Sequence, residues 1–370
     1  MSAPLIPVYP PFELSLRRGS PGFPLDRPGL RLTHLGRGAV WLALRALGIG
    51  EGSRVAMPAY HCGSEVEAVR LAGARIDFYR VDAHLVPDPD DLARAAREAD
   101  LTYLISHFGF PIAQAPGGAR VLEDAAHALF SLDADGRPVG SRGDAAVFCP
   151  RKSLGVPDGG AVLVDSLIPA APRPPGKRIA RSTAALLAGR AAISRAAPVH
   201  AAATRLIARA SRGDAAARAG NLTETIIGEW DLEVADMENA ARLPARLTEL
   251  AVRHAGAPAI RARRRENYLR LRDELADHVP EAYRELPAGT CPLYLPVRAA
   301  DRAAALRGLL DHGIRALEIW PVAHPLLDRR RFAELEPARR ELLALPTHHL
   351  LAPWHTEAVA AAAKRVLENR

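Results

Sequence analysis

Between residues 38 and 165 the chain alternates two hydrophobic rhythms. Gly38–Leu47 (GAVWLALRAL) spaces its apolar residues as a helix does and ends at Gly48. Arg54–Met57 is a short apolar run closed by Pro58, which predicts a buried strand. Glu65–Ala72 reads as a helix stopping at Gly73, Ala74–Val81 (ARIDFYRV) as a strand, and Asp88–Glu98 as a charged helix. Leu101–Ile105 (LTYLI), Val121-Leu122, Ala145–Cys149 and Ala161–Val164 add further strands. Strands alternating with helices predict an α/β fold, a mostly parallel sheet with helices on both faces. Ligands of such sheets bind at the carboxyl ends of the strands.

A second α/β pattern follows. Ile260–Leu275 (IRARRRENYLRLRDEL) is a long charged helix suited to connect two domains. After Cys291 the order is strand (Pro292–Val297), helix (Asp301–Leu310), strand (Arg315–Ile319) and a last helix (Glu357–Glu368). The Pro-rich, irregular residues 1–29 read as an arm. The expected division is an arm over 1–29, a large domain over 30–255 and a small C-terminal domain over 256–370.

Composition narrows the picture. With 48% apolar and 25% charged residues in 370, the chain is an ordinary globular one. The net charge of +7 is local: 166–220 holds ten basic residues and one acid, so the remainder is slightly acidic. The simplest account of 166–220 is a solvated, Ala/Arg-rich helical excursion. Such charge can invite nucleic acid or a bilayer surface; no nucleic-acid partner is expected, and contact of 166–220 with a bilayer surface is kept as a minor alternative. Cys62, Cys149 and Cys291 form no C-x-x-C pair, so neither a disulfide framework nor a metal site is expected. The start of the chain lacks the basic and apolar stretches of a secretory signal, and no run reaches about 18 apolar residues. A cytoplasmic setting is expected.

There is no Walker loop, no G-x-G-x-x-G after the first strand, no G-x-S-x-G and no H-E-x-x-H. Two runs carry chemistry. In Val121–Ala128 (VLEDAAHA) an apolar strand delivers Asp124 at its carboxyl end, with His127 three residues on. In Phe148–Gly160 (FCPRKSLGVPDGG) Lys152 sits beside Arg151, between a strand and a Pro/Gly-rich turn. Only three of the 49 Lys and Arg residues are lysines, so a lysine here stands out. Arg151 is expected to lower the pKa of Lys152, as Schiff-base chemistry requires. A helix cap for Asp124 and a surface position for Lys152 are the bland alternatives. Together the two runs suggest a pyridoxal 5'-phosphate site: a lysine to form the imine, and a carboxylate to pair with the protonated pyridine nitrogen.

In their order and spacing these residues resemble the DegT/DnrJ/EryC1/StrS sugar aminotransferases, fold type I enzymes of pyridoxal phosphate. The resemblance runs from about Gly36 to the C-terminus. It rests on Leu42–Tyr60, His107–Pro111 (HFGFP), Leu122–Ala128 (LEDAAHA), Val139–Phe148, Asp158–Val162 (DGGAV) and Leu345–His348 (LPTH). It implies that Lys152 is the Schiff-base lysine and proton shuttle, and that Asp124 pairs with the pyridine nitrogen. It places His127 near the cofactor's 3'-oxygen, and the phosphate at the turn Gly36-Arg37-Gly38, where a helix N-terminus attracts anions. It further implies a seven-stranded type of sheet, a homodimer, an amino donor (glutamate) and a keto sugar linked to a nucleotide as acceptor.

The chain also departs from that pattern. Leu35-Gly36-Arg37 stands where the family has Ser-Gly-Thr, Val147 where it has a serine, and Arg151 where it has a threonine. Arg37 and Arg151 are expected to replace the lost hydroxyl contacts to phosphate. Cys62 occupies the position of the ring-stacking aromatic, leaving Tyr60, His61 or no residue for that role. Glu229–Glu233 (EWDLE) replaces the family's subunit-crossing G-x-N-x-R. These departures keep open a cyclitol or non-sugar ketone as acceptor, and a non-catalytic scaffold with a basic binding segment.

Overall fold

The computed structural model describes residues 5–13, 19–112, 118–166, 172–174, 176–193 and 236–368. Seven strands form the main sheet: β1 (Leu30–Thr33), β2 (Arg54–Pro58), β3 (Arg75–Tyr79), β4 (Leu101–Ile105), β5 (Val121–Asp124), β6 (Ala145–Phe148) and β7 (Gly160–Val164). Their order is β1-β7-β6-β5-β4-β2-β3. From β3 to β6 all neighbours are parallel, while β7 runs antiparallel to both β6 and β1. Every residue of β4 and β6 is buried, as expected of inner strands covered on both faces.

The helices of this part are α1 (Gly36–Ala46), α2 (Ser64–Leu71), α3 (Pro89–Glu98), α4 (Pro150–Ser153), α5 (Gly176–Ala192), α6 (Met237–Ala240) and α7 (Arg246–Arg253). α3 starts where Asp88 accepts the Asp91 amide and Pro89 opens the first turn. Gly38 is fixed by packing: a Cβ there would lie 2.1 Å from the Ala240 carbonyl oxygen. Only a glycine lets α1 and α6 approach so closely.

The C-terminal part begins with α8 (Ala257–Glu274) and holds α9 (Arg302–Asp311), α10 (Glu336–Glu341) and α11 (Pro353–Glu368). These accompany an antiparallel sheet of β8 (Tyr294–Arg298), β9 (Leu317–Glu318) and β10 (Leu342–Pro346), in the order β8-β10-β9. The arm is tied to this part. Ile6 is fully buried and bridges Ile314, exchanging main-chain bonds with Gly313 and Arg315.

Several expectations shift. Strand β5 extends two residues beyond Val121-Leu122, so Asp124 is its last residue and not a helix cap. The strand expected over Arg315–Ile319 shrinks to Leu317–Glu318, because it pairs only with Leu343 and Ala344 of β10. Strands β1 and β10 were not read from the sequence: the first lies at the arm boundary, and the second is an unbroken apolar run that periodicity cannot separate from a helix segment. Among the described residues no helix is long and apolar enough to cross a membrane, and no cluster of three His, Cys, Asp or Glu could hold a metal ion. Of the basic segment, α5 is described; positions 229–233 lie outside the described residues.

Candidate active site

At the carboxyl ends of β5 and β6 lies a cavity of about 330 Å³, within the range of small-ligand sites. Lys152, Asp124, His127, Gly36, Arg37 and Arg151 all line it. The last residues of the parallel strands thus present their side chains into one space, which the α/β topology favours.

Strand alternation explains the acid. Neighbouring residues of β5 point to opposite faces, so Glu123 and Asp124 have different tasks. Glu123 accepts the amides of Gly140, Arg142 and Gly143 and so holds a loop. Asp124 faces the cavity. Its Oδ2 accepts the Tyr103 hydroxyl at 2.7 Å, and its Oδ1 accepts the Ala126 amide at 2.9 Å. Burial raises its pKa, against the opposing pull of Tyr103, the Ala126 amide and Lys152. A second buried carboxylate, Glu65, lines the same cavity and accepts the Cys62 amide at 2.8 Å. Burial and the nearby Asp124 raise its pKa as well.

Lys152 follows β6 through the short turn α4, whose first residue is Pro150. Its pKa moves up, not down as expected from Arg151. Burial lowers it, but Cys149, Tyr9, Cys62 and Asp124 together raise it. The guanidinium of Arg151 lies over the Tyr9 ring, 5.7 Å from its centroid. Thiols and phenols ionise only in alkali, so at neutral pH Asp124 is the counter-charge of the Lys152 ammonium. His127 is held well below its ordinary pKa by burial, Lys152 and His107, and is therefore neutral. Its Nδ1 accepts the Phe108 amide at 3.4 Å, leaving Nε2 as the protonated nitrogen.

Helix α1 begins at the cavity wall with Gly36. Its N-cap, Leu35, makes no side-chain bond, so no side chain caps the positive end of the helix dipole. Two residues stand apart. Gly38 packs on α6 instead of lining the cavity. His61 stacks on Phe78, with ring centroids 5.3 Å apart, and bonds the Pro58 carbonyl; burial drives its pKa down to about 3. Tyr60 donates to the Ile319 carbonyl and likewise does not line the cavity, so neither ring reaches it. Sequence reasoning missed Tyr9, Glu65, Glu318 and Trp320, which complete the wall. A signal for Trp320 was its place just after a short strand and before Pro321.

The donor set suits pyridoxal phosphate: an amine, an anchored carboxylate in the same cavity and a helix end without a side-chain cap for a phosphate. Residues 33–168 match the DegT/DnrJ/EryC1/StrS aminotransferase family. The chain is similar to that family over this segment. Within it the chain is 34% identical over 145 residues to the UDP-N-acetyl-3-dehydro-alpha-D-glucosamine 3-aminotransferase of Acidithiobacillus ferrooxidans, covering 35% of this chain and 38% of that one. It is 32% identical over 136 residues to the dTDP-4-dehydro-2,3,6-trideoxy-D-glucose 4-aminotransferase of Saccharopolyspora spinosa, covering 34% and 35%. The matches thus span little more than a third of these relatives. Beyond the family segment the fold is shared more widely. The putative sugar aminotransferase Spr1654 of Streptococcus pneumoniae superimposes with a TM-score of 0.66 over 98% of both chains, at 17% identity.

Proposed function

We propose that this protein is a pyridoxal phosphate-dependent aminotransferase that moves an amino group from glutamate to the keto group of a nucleotide-linked sugar. The observation that carries the reading is Lys152, half-buried, sharing one cavity with the anchored carboxylate Asp124. The activities for which the two relatives are named support the acceptor class. Bound here, the cofactor supplies an electron sink for the substrate carbon that loses or gains a proton. Lys152 Nζ holds and returns that proton. Asp124 stays ionised against a protonated ring nitrogen, with Tyr103 and the Ala126 amide fixing its two oxygens. The first-turn amides of α1, with Arg37, would take the phosphate. A homodimer is part of the same proposal, supported by the family resemblance.

The test is an absorbance titration. Purified protein is mixed with pyridoxal phosphate, then with glutamate, beside Lys152→Ala. The expected result is a visible band that glutamate bleaches, that a keto sugar nucleotide restores, and that the variant lacks. A protein that forms no band, or forms one equally well without Lys152, sinks the reading and leaves a scaffold.

A further inference from the structure

The cavity wall opposite the sheet is built around Trp320, whose backbone is unusual. Its φ is +45°, a region that bulky residues rarely adopt and that marks functional sites when the surroundings enforce it. Here they do. The Tyr60 hydroxyl donates to the Ile319 carbonyl at 2.6 Å, one residue before. The buried Arg339 donates to the Trp320 carbonyl at 3.2 Å and to the Ala59 carbonyl at 2.8 Å. Its guanidinium lies over the Tyr60 ring, 4.8 Å from the centroid. The Ala59-Tyr60 turn after β2 is thus clamped to Ile319-Trp320 of the C-terminal part.

The clamp fixes what faces the cavity. Trp320 is half-buried and lines it, with Glu318 two residues earlier. Glu318 is oriented by Arg302 at 3.2 Å. The indole lies 5.4 Å from the His127 ring at 31° and 5.4 Å from that of His107. Of the other rings of the wall, Tyr9 lies under Arg151 and Phe148 is edge-on to Phe23. An indole beside a carboxylate, in one cavity with the amine, matches a pyranose ring, which offers an apolar C–H face and a hydroxyl rim.

We infer that Trp320 is the platform on which the sugar ring of the acceptor stacks, with Glu318 accepting from a sugar hydroxyl and Tyr60 and Arg339 as positioning residues. This rests on the aminotransferase reading above and names the subsite within it.

The test uses the protein with pyridoxal phosphate bound. Trp41, Trp230 and Trp354 are replaced by Phe so that Trp320 is the sole indole. Emission is followed during titration with UDP-N-acetylglucosamine, dTDP-glucose, UDP and dTDP. At least one sugar nucleotide should change the emission and shield the indole from acrylamide, and the free nucleotides should not. In the parent background Trp320→Ala should weaken that sugar nucleotide about tenfold, and Trp320→Phe no more than about threefold. Tyr60→Phe should weaken it severalfold with pyridoxal phosphate affinity unchanged, a split that a merely structural role does not produce. Equal affinity in Trp320→Ala, or an equal signal from free nucleotide, overturns the platform and leaves the transaminase reading standing. Binding of neither sugar nucleotide overturns the platform together with the acceptor class, while bleaching by glutamate still reports separately on the amine chemistry.

Discussion

The cavity has two walls of different construction. The sheet-edge wall takes its chemistry from two short runs, Asp124–His127 and Cys149–Lys152, each delivered by the end of one strand. The other wall draws Glu318 and Trp320 from the C-terminal part. In the first, strand geometry and nearby main-chain bonds place the reactive groups. In the second, placement depends on a buried arginine and a tyrosine hydroxyl reaching across from another part of the fold. On the function proposed above, the first wall serves the chemistry and the second the recognition of the acceptor. Substitutions should therefore separate chemistry from recognition.

The largest separation is expected at Lys152. Lys152→Ala should lower amine transfer by roughly a thousandfold or more, the scale of losing a covalent and proton-transferring group. Sugar-nucleotide affinity should remain within about twofold of the parent. Single-turnover absorbance and the fluorescence titration measure the two separately. A comparable loss of binding would show that the walls are not independent. Asp124→Asn should follow, with transfer down by on the order of a hundredfold, about 2.7 kcal/mol of barrier. The fold should hold, because the amide oxygen still accepts from Ala126 and the new NH2 group can donate to the Tyr103 hydroxyl oxygen.

A third substitution attacks the other wall. Arg339→Met leaves the Trp320 and Ala59 carbonyls without the donor they share, and buried carbonyls without partners cost about 1–3 kcal/mol each. Thermal unfolding should come several degrees earlier, and sugar-nucleotide affinity should fall about tenfold. Pyridoxal phosphate affinity should be unchanged. Loss of cofactor affinity on the same scale would join the clamp to the first wall.

The difference between the walls also explains what the sequence discloses. Alternating apolar runs with Gly and Pro breaks marked β2, β4 and α3 closely, because burial and caps act locally. Asp124 and Lys152 were legible as cavity residues for a similar reason: Asp124 ends an apolar strand, Lys152 follows the end of another by four residues, and lysine is rare in this chain. Trp320 was not, since its backbone conformation is imposed by Arg339 and Tyr60, 19 and 260 residues away. The same long reach misled two expectations. Tyr60 and His61 looked like ring-stacking candidates by position, yet packing turns one toward Ile319 and the other toward Phe78. Arg151 beside Lys152 looked like a depressing charge, yet it lies over Tyr9.

The smallest effect should come from Glu65, the second carboxylate of the sheet-edge wall. Burial, then the charge of Asp124, raises its pKa above 4.5. Folding therefore favours the protonated form. That contribution is fully present below the ordinary carboxylate pKa and is lost as pH rises through the raised one. Above it the protein carries a buried, ionised Glu65 at a cost. A glutamine of the same shape avoids ionisation and can still accept the Cys62 amide that now bonds Glu65 at 2.8 Å. Without cofactor, Glu65→Gln should melt with the parent near pH 4 and on the order of 2 °C above it near pH 7. A difference that is flat with pH, or that shrinks as pH rises, would mean that Lys152 neutralises Glu65 as well as Asp124. The sheet-edge wall would then hold one ammonium shared by two carboxylates, and the pairing of Lys152 with Asp124 alone would have to be abandoned.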